Sequence, residues 1–422
     1  MSSHKPELAY LLSRYPAVTH TFLLREVAQL RHAGFTMRTI SIQSPESCAD
    51  GYTEIEKAEI ASTFYVQARG LHRILGDHAR AFFTRPLGYL HGLLFTLGLN
   101  RGDLGNLAHY LAYFAEAVVV GEWSRRNECK HLHVHFANAV STVALITSQI
   151  YPVQFSVTVH GYDEFYGERF YRLREKIAGA KFLRCISHFC RSQLMKASPM
   201  EEWHKFEVCR LGVDPDHFLP RKSPVGEEFE IAHVGRLTAV KGAPILVDAV
   251  AALFLQGRRV HLNLIGDGGD RAAVERRVAQ YGIASHVTFH GSVNQDHIRE
   301  LLRQANAFVL PSFAEGVPVA LMEAMSMEIP CITTPVGGIY ELITSGMDGI
   351  LVPASDAESL AHALTVLMDD PAYAARLGQA GRQTVLKSYN LPLNIARLAG
   401  IFERRLCEDE LEAGIESCPE RL

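Results

Sequence analysis

What this chain lacks narrows its function first. It has no excess of charge: 42 Lys and Arg against 46 Asp and Glu give a formal net charge of -4 over 422 residues. That leaves no electrostatic footprint for nucleic acid, and no long run of one sign appears. The eight cysteines, at 48, 129, 185, 190, 209, 331, 407 and 418, form no Cys-x-x-Cys pair and no zinc-finger spacing with His. Cys185 and Cys331 sit in apolar runs, where Cys behaves as a small hydrophobe, so a reducing cytoplasmic setting is expected. Met1 to Glu7 lacks the basic-then-apolar pattern of a signal peptide. The longest apolar stretch, Leu87 to Leu99, is too short to span a bilayer and contains His91. Neither a Gly-x-Gly-x-x-Gly nor a Walker Gly-Lys-Ser/Thr is present. What remains is a globular composition, 48% hydrophobic and 21% charged, long enough for about two or three domains.

The N-terminal half opens as a βαβ unit. Leu8 to Ser13 reads as a buried strand, Thr19 to about Ala33 as a helix ended by Gly34, and Thr36 to Gln43 as a second strand. The loop Ser13 to Thr21 lies at the C-terminal edge of the first strand, where parallel sheets bind ligands. Tyr15, His20 and Thr21 in that loop are therefore candidate contacts. Glu54 to about Arg126 is mostly helical by period. Its 69–101 stretch carries several Arg and His, a single acid (Asp77), and Phe82, Phe83, Leu87, Tyr89, Leu90, Leu93, Leu94 and Phe95. Such a surface can lie on an anionic membrane face. Alternatively it forms a helical layer on the domain's own sheet, the reading favoured here because neighbouring helices can hide each other's apolar faces.

Two histidine patterns follow. His131, His133 and His135 alternate, so in a strand they share a face. They could ligate a metal, but no acid or Cys is near in sequence, and His135 could equally act alone. His160-Gly161-Tyr162-Asp163 ends another strand, Gln154 to Val159; His160 is placed either for ligand contact or as a satisfied loop residue. Strands at Phe182 to Ser187 and Phe206 to Leu211 complete a first sheet. Asp214 and Asp216 spell Asp-x-Asp, but Pro215 and a loop leading out of the domain favour a turn over a metal-diphosphate site.

Pro220 to Glu228 reads as a linker, and a second α/β series follows. Arg236 and Lys241 lie in the loop after its first strand, flanked by Gly235 and Gly242. Two cations beside glycine loops and helix N-termini suit a diphosphate; either cation alone would more often be an ordinary surface residue. Gly266-Asp267-Gly268-Gly269 is a weak phosphate-loop signal. Pro311 to Met325 follows an apolar strand. If Val317 to Met327 is helical, Glu315 stands at its start and Glu323 two turns along. Eight helical residues span about 12 Å and turn by roughly 80°. Glycosidase carboxylate pairs stand about 5 to 9.5 Å apart. Two grips on one long ligand suit this spacing better than an acid/base couple, and a solvated Glu at a helix start is the plain alternative.

Taken together, Gly235-Arg236…Lys241-Gly242, Gly266-Asp267-Gly268, Pro311-Ser312…Glu315-Gly316…Glu323-Ala324-Met325, Val336-Gly337-Gly338 with Glu341, and Gly349…Val352-Pro353 resemble the donor domain of retaining glycosyltransferases of family 4. His160 to Asp163 and Gly212-Val213-Asp214 with Phe218 are similar to that family's first domain. Tyr15-Pro16…Thr21-Phe22…Glu26 resembles its exopolysaccharide, colanic-acid-type branch. The resemblance implies an α/β chain of GT-B fold: two Rossmann-like domains facing across a cleft, with a C-terminal helix crossing back. Domains are then expected at 1–218, with the helical segment at about 54–126, and at 229–390, joined by a 219–228 linker and followed by a return helix and tail at 391–422.

The resemblance further implies transfer of a hexose from a nucleotide-diphosphate sugar to a glycan or lipid-linked acceptor, with retention, no metal and no cofactor. The cytoplasmic face of the inner membrane is the expected location. Glu315 would hold donor-sugar hydroxyls, Glu323 the ribose, Arg236 and Lys241 the diphosphate, and His160 would sit by the transferred sugar. Gly266, Gly291, Gly316, Val317 and Pro318 would complete the donor contacts. Tyr15, His20, Thr21, His135 and Asp163 would lie on the acceptor side. Three positions depart from the family pattern: the first βα loop lacks paired glycines, Glu328 stands where Gly is common, and Val317-Pro318 replaces Phe-Gly. An epimerase of the same fold and a non-catalytic sugar-nucleotide binder are the alternatives. A pyridoxal-phosphate phosphorylase is disfavoured, since no Lys has a supporting context.

Overall fold

The computed structural model describes residues 7–17, 21–45, 52–166, 171–221 and 226–412. His20 lies outside them, as does the middle of the expected linker. The chain divides into two compact units: Met1–Ile186, Cys190–Cys209 and Ile395–Leu422 form one, and Ser187–Phe189 with Arg210–Asn394 form the other. The second unit therefore takes in Arg210 to Phe218, which the sequence reading gave to the first domain. Val213 is the anchor: its N–H reaches the Tyr389 carbonyl and its carbonyl accepts from Leu391.

The first unit runs β1 (Glu7–Arg14), α1 (Thr21–His32), β2 (Thr36–Gln43), α2 (Glu54–Ser62), β3 (Phe64–Tyr65), α3 (Leu71–Thr84), α4 (Pro86–Asn100) and α5 (Leu107–Arg126). It continues with β4 (His131–His135), α6 (Ala139–Ile150), β5 (Gln154–Val159), α7 (Tyr162–Tyr166), α8 (Leu173–Gly179), β6 (Leu183–Cys185), α9 (His188–Ala197) and β7 (Phe206–Val208). Its sheet has the order β3-β2-β1-β4-β5-β6-β7, all parallel. Runs such as Leu8 to Leu12 are buried throughout because helices cover both faces. Strand β3 was not legible: two residues pairing with Ile40 and Ser41 are too short to show a period. Helix α2 starts at a capping box, in which Thr53 accepts from the Glu56 N–H and Glu56 accepts from the Thr53 N–H.

The second unit runs β8 (Phe229–Val234), α10 (Ala243–Leu255), β9 (Val260–Ile265), α11 (Arg271–Gln280), β10 (Val287–Gly291), α12 (Gln295–Gln304), β11 (Ala307–Leu310) and α13 (Val319–Ser326). β12 (Cys331–Thr333), β13 (Ile350–Leu351), α14 (Ala357–Asp369) and α15 (Pro371–Ser388) complete it. Its sheet order is β10-β9-β8-β11-β12-β13, again parallel. Helix α16 (Leu391–Glu412) ends the described chain. From Ile395 onward α16 groups with the first unit, where the Phe402 ring packs edge-on to those of His133 and Phe182.

Each sheet reverses direction once, between β1 and β4 and between β8 and β11. At such a switch point the loops leaving adjacent strands diverge to opposite faces and open a site at the strands' C-terminal ends. The turn after α13 is instructive. Glu328, where the resembled family often has Gly, adopts φ 60°, the left-handed conformation that Gly takes without strain. The backbone turn is therefore the Gly-type turn, carried by a residue that is strained in it. Glu328→Gly should raise unfolding stability by up to about 1 kcal/mol, the left-handed strain exceeding the added unfolded-state entropy. Urea unfolding measures this, and a lowered midpoint would contradict it.

Candidate functional site

The β8–β11 switch of the second unit assembles the donor candidates. Because Ala307 and Phe308 pair with Ile231 and Ala232, the loops after β8 and β11 emerge side by side. Lys241, from the first loop, brings Nζ to 2.5 Å from Glu315 Oε1 in the second. Ser312 donates its hydroxyl to the same oxygen at 2.7 Å. The Phe313 N–H reaches the Val240 carbonyl at 2.8 Å, tying the two loops by backbone as well. Two glycines make this closeness sterically feasible. Gly242 has φ 67°, and a Cβ there would stand 2.0 Å from the Pro311 carbonyl oxygen. Gly337 has φ 59°, and a Cβ there would stand 1.7 Å from the Glu315 carbonyl oxygen. Any side chain at either position would push the Glu315 loop away.

The remaining donor candidates lie in the same unit. Gly338 donates its N–H to the Gly316 carbonyl at 2.8 Å. Val317 is buried, and Pro318 caps α13. Glu323, inside α13 and buried, accepts from Gln295 Nε2 at 2.9 Å. Gly266 and Gly291 meet at the ends of β9 and β10, with the Gly266 N–H on the Gly291 carbonyl at 2.9 Å. Arg236 is exposed, and its guanidinium has no partner among the described residues.

Two expectations change. The cations are not equivalent: Lys241 is engaged by a carboxylate while Arg236 faces solvent. Helix α13 begins at Val319 rather than Val317; Glu315 lies in the loop before it, as expected, but the ideal-helix separation of the two carboxylates does not apply. A cavity of about 580 Å³ lined by Ser345, Leu351, His362 and Tyr373, among others, includes none of these donor candidates.

His233 was not singled out from sequence, yet it backs this loop. It is fully buried at the end of β8, with Nδ1 2.9 Å from the Val309 carbonyl. Burial pushes its pKa down to about 4, against the opposing pull of that carbonyl. An unfolded His titrates near pH 6.5. Between about 6.5 and 4 the unfolded chain takes up a proton that the folded one refuses. The stabilisation is therefore complete above about pH 6.5 and is lost as pH falls toward 4. His233→Asn, which keeps a donor for Val309, should flatten the acid limb of a Tm-against-pH curve. An unchanged limb would assign the acid sensitivity elsewhere.

In the first unit, His160 ends β5 and places Nε2 2.9 Å from His135 Nδ1. His135 Nε2 lies 3.1 Å from Glu26 Oε1. The other Glu26 oxygen accepts from Arg184 Nη1 at 2.6 Å, and Tyr10 donates its hydroxyl to Oε1 at 2.7 Å. Burial alone would raise the Glu26 pKa, but Arg184 and His135 outweigh it and hold the carboxyl well below its usual range. Burial lowers the His135 pKa, which Glu26 only partly offsets, so the ring is neutral. Glu26, an acceptor only, favours the proton on His135 Nε2. His135 Nδ1 then accepts from His160 Nε2–H, which leaves His160 Nδ1 as the ring's acceptor. The loop itself is held by Glu164, which accepts the N–H groups of His160 at 2.6 Å and Gly161 at 2.7 Å, and also that of Ala137.

Two of the acceptor-side candidates, His135 and Tyr15, are buried. His135 is buried and supports His160 rather than facing a ligand. Tyr15 is also buried; its hydroxyl, needing a partner away from water, turns to Glu59 at 3.2 Å. Asp163 is exposed in the first turn of α7, and Thr21 opens α1. His131 and His133 do share a face, but β5 hydroxyls engage them: Ser156 lies 2.7 Å from His131 and 2.8 Å from His133, and Thr158 2.8 Å from His133. Asp214 accepts the Asp216 N–H at 3.0 Å, as the turn reading expects. No group of three or more His, Cys, Asp or Glu among the described residues is arranged to hold a metal. Sequence reasoning missed Arg184, Gln295 and Glu164, and quoted Glu26 and Ser312 without a role. Arg184 alone carried a signal, a cation inside an apolar strand. Glu26→Gln leaves Arg184 buried without its counter-charge and should lower stability by about 3 kcal/mol in urea unfolding. A loss below about 1 kcal/mol would mean that the network is dispensable.

Comparison with known proteins bears on the same residues. Residues 217–384 match the family model described as Glycosyl transferases group 1. The chain is 33% identical over 207 residues to the amylovoran biosynthesis glycosyltransferase AmsK of Erwinia amylovora, covering 47% of this chain and 51% of that protein. It is 25% identical over 413 residues to the putative colanic acid biosynthesis glycosyltransferase WcaL of Escherichia coli, covering 94% of this chain and 99% of that one. Among solved structures it superposes on sucrose-phosphate synthase from Thermosynechococcus elongatus with TM-score 0.72 at 18% identity, over 96% of this chain and 100% of the other. It superposes on Anabaena HepE, solved with UDP-glucose, with TM-score 0.72 at 16% identity, over 94% and 100%. The chain thus has the GT-B fold, with a segment matching the glycosyl transferases group 1 family on the sheet that carries Lys241, Glu315 and Glu323.

Proposed function

We propose that this protein is a retaining glycosyltransferase of family 4 that moves a hexose from a nucleoside-diphosphate sugar to a glycan or lipid-linked acceptor in exopolysaccharide synthesis. The observation that carries the reading is the Lys241–Glu315 pair, fixed by Ser312 and by the Gly242 and Gly337 backbones inside the matched segment. WcaL and AmsK, named for colanic acid and amylovoran synthesis, support the polymer class. HepE, solved with UDP-glucose, supports a nucleotide-sugar donor.

In this reading Glu315 accepts from donor-sugar hydroxyls and Glu323 from the ribose. Lys241 and the open Arg236 share the diphosphate, stabilising the charge that develops as the anomeric C–O bond breaks. The acceptor oxygen bonds to the anomeric carbon on the face that the phosphate leaves. The acceptor proton passes to a phosphate oxygen, so the products are the glycosylated acceptor and a nucleoside diphosphate. Residues of the chain supply the cations; no metal or cofactor enters the proposal. We assign His160 a contact to the transferred sugar, oriented by His135.

A panel of nucleotide sugars with lipid-extract acceptors tests this by release of nucleoside diphosphate. Glu315→Gln and Lys241→Ala should each lower the rate by about 100-fold or more. Near-normal rates in both would put the site elsewhere. Interconversion of the sugar without an acceptor would make the protein an epimerase.

A further inference from the structure

Lys176 is a fully buried cation that the donor chemistry does not use. It sits in α8, and Glu164, also buried, sits in α7. Groups this polar are rarely taken out of water unless something holds them. Here backbone holds both. Lys176 Nζ donates to the Ala137 carbonyl at 3.0 Å and to the Asn138 carbonyl at 2.6 Å. Glu164 accepts the Ala137 N–H with one oxygen and the N–H groups of His160 and Gly161 with the other. The two side chains thereby join the loop after β4 to the loop after β5, at the edge of the sheet where parallel folds bind ligands.

The loop after β4 needs such a hold. Phe136 has φ 72°, a left-handed conformation that is strained for a bulky side chain. Its own N–H is fixed on the Thr158 carbonyl at 2.9 Å, and Glu164 and Lys176 grip the N–H and the carbonyl of the next residue, Ala137. Held so, the Phe136 ring stands 4.3 Å from the His160 ring, centroid to centroid. The Phe22 ring flanks His160 as well, at 5.3 Å. Backbone outliers persist where their surroundings over-determine them, and they cluster at functional sites. Burial pushes the Glu164 carboxyl pKa up and the Lys176 amine pKa down, and each charge offsets part of the other's shift. Removing one would leave the other buried with its charge unopposed, so the two act as a unit.

We propose that Glu164 and Lys176 are positioning residues for His160. The pair fixes the His160 backbone directly and, through Ala137, the Phe136 ring beside it. His160 is thereby held in one orientation, with Nε2 on His135 and its proton on that nitrogen. An apolar pair of equal volume would fill the same space but would take away the acceptor of the Ala137, His160 and Gly161 N–H groups. The consequence for catalysis rests on the reading that His160 contacts the transferred sugar.

Nitrogen NMR of the histidine-labelled full chain tests this without any substrate, the His160 signal being the one that His160→Gln removes. In the wild type His160 should show a single tautomer, protonated on Nε2. In Glu164→Gln its two ring-nitrogen shifts should move toward each other as the tautomers begin to average, while the His233 signal of the second unit stays in place. Lys176→Met, which frees the same loop from its carbonyl side, should do likewise. With nucleotide sugars as donors, each variant should lower kcat by about tenfold or more and leave the donor KM within about twofold, since a misplacement of about 1 Å can cost about 100-fold. The proposal is overturned if wild-type His160 averages its tautomers, or if both variants fold and keep the wild-type His160 signal. A raised KM at unchanged kcat also overturns it. A wild type that transfers no sugar would refute the transferase reading, and the His160 spectrum would still decide whether the pair positions that ring.

Discussion

A nearly buried carboxylate needs partners, and the second unit is built to supply them to Glu315. Lys241 and Ser312 both converge on one oxygen, and they come from different loops. Only the reversal of strand order between β8 and β11 brings those loops together. Once they are together, steric demands follow. Gly242 must let the Pro311 carbonyl approach, and Gly337 must let the Glu315 backbone approach. His233, neutral and buried behind the loop, adds no competing charge beside Lys241 at ordinary pH.

The first unit solves a related problem differently. Glu26 and Arg184 are both buried, and together they offset a desolvation cost that neither could bear alone. Their common use is positional: the carboxylate sets the tautomer of His135, and His135 orients His160. In both units a site residue at a strand's C-terminal end is held by groups from elements distant in sequence. The same parallel architecture needs helical layers on its faces, and in α3 and α4 that layer has one more apolar face than the sheet can cover.

Much was legible in the residues themselves. Buried strands were readable because a parallel sheet covered on both faces makes near-continuous apolar runs, as at Leu8 to Leu12 and Ala307 to Leu310. Glycine-flanked loops after those strands marked where the chain must turn closely. Lys241, Glu315 and His160 were singled out by their place after a strand, while the roles given to them and to Glu323 came from the family resemblance. Tyr15 and His135 were misplaced for one reason: sequence shows that a residue is near a strand end, but not whether its polar atom points to solvent or to a buried partner.

By itself, then, the sequence determined the two parallel-sheet units, their order and the glycine-flanked loops after their strands. Those features follow from local period and from Gly and Pro placement. Tertiary structure alone decided the partnerships: Lys241 with Glu315 across 74 residues, and Arg184 with Glu26 across 158. It also decided that Glu328 would take a glycine's conformation and that the leucines of α4 would face outward. The reason is physical. Satisfying a buried charge, or burying an apolar face, is a property of what folding brings beside a residue, and a linear pattern records only what precedes and follows it.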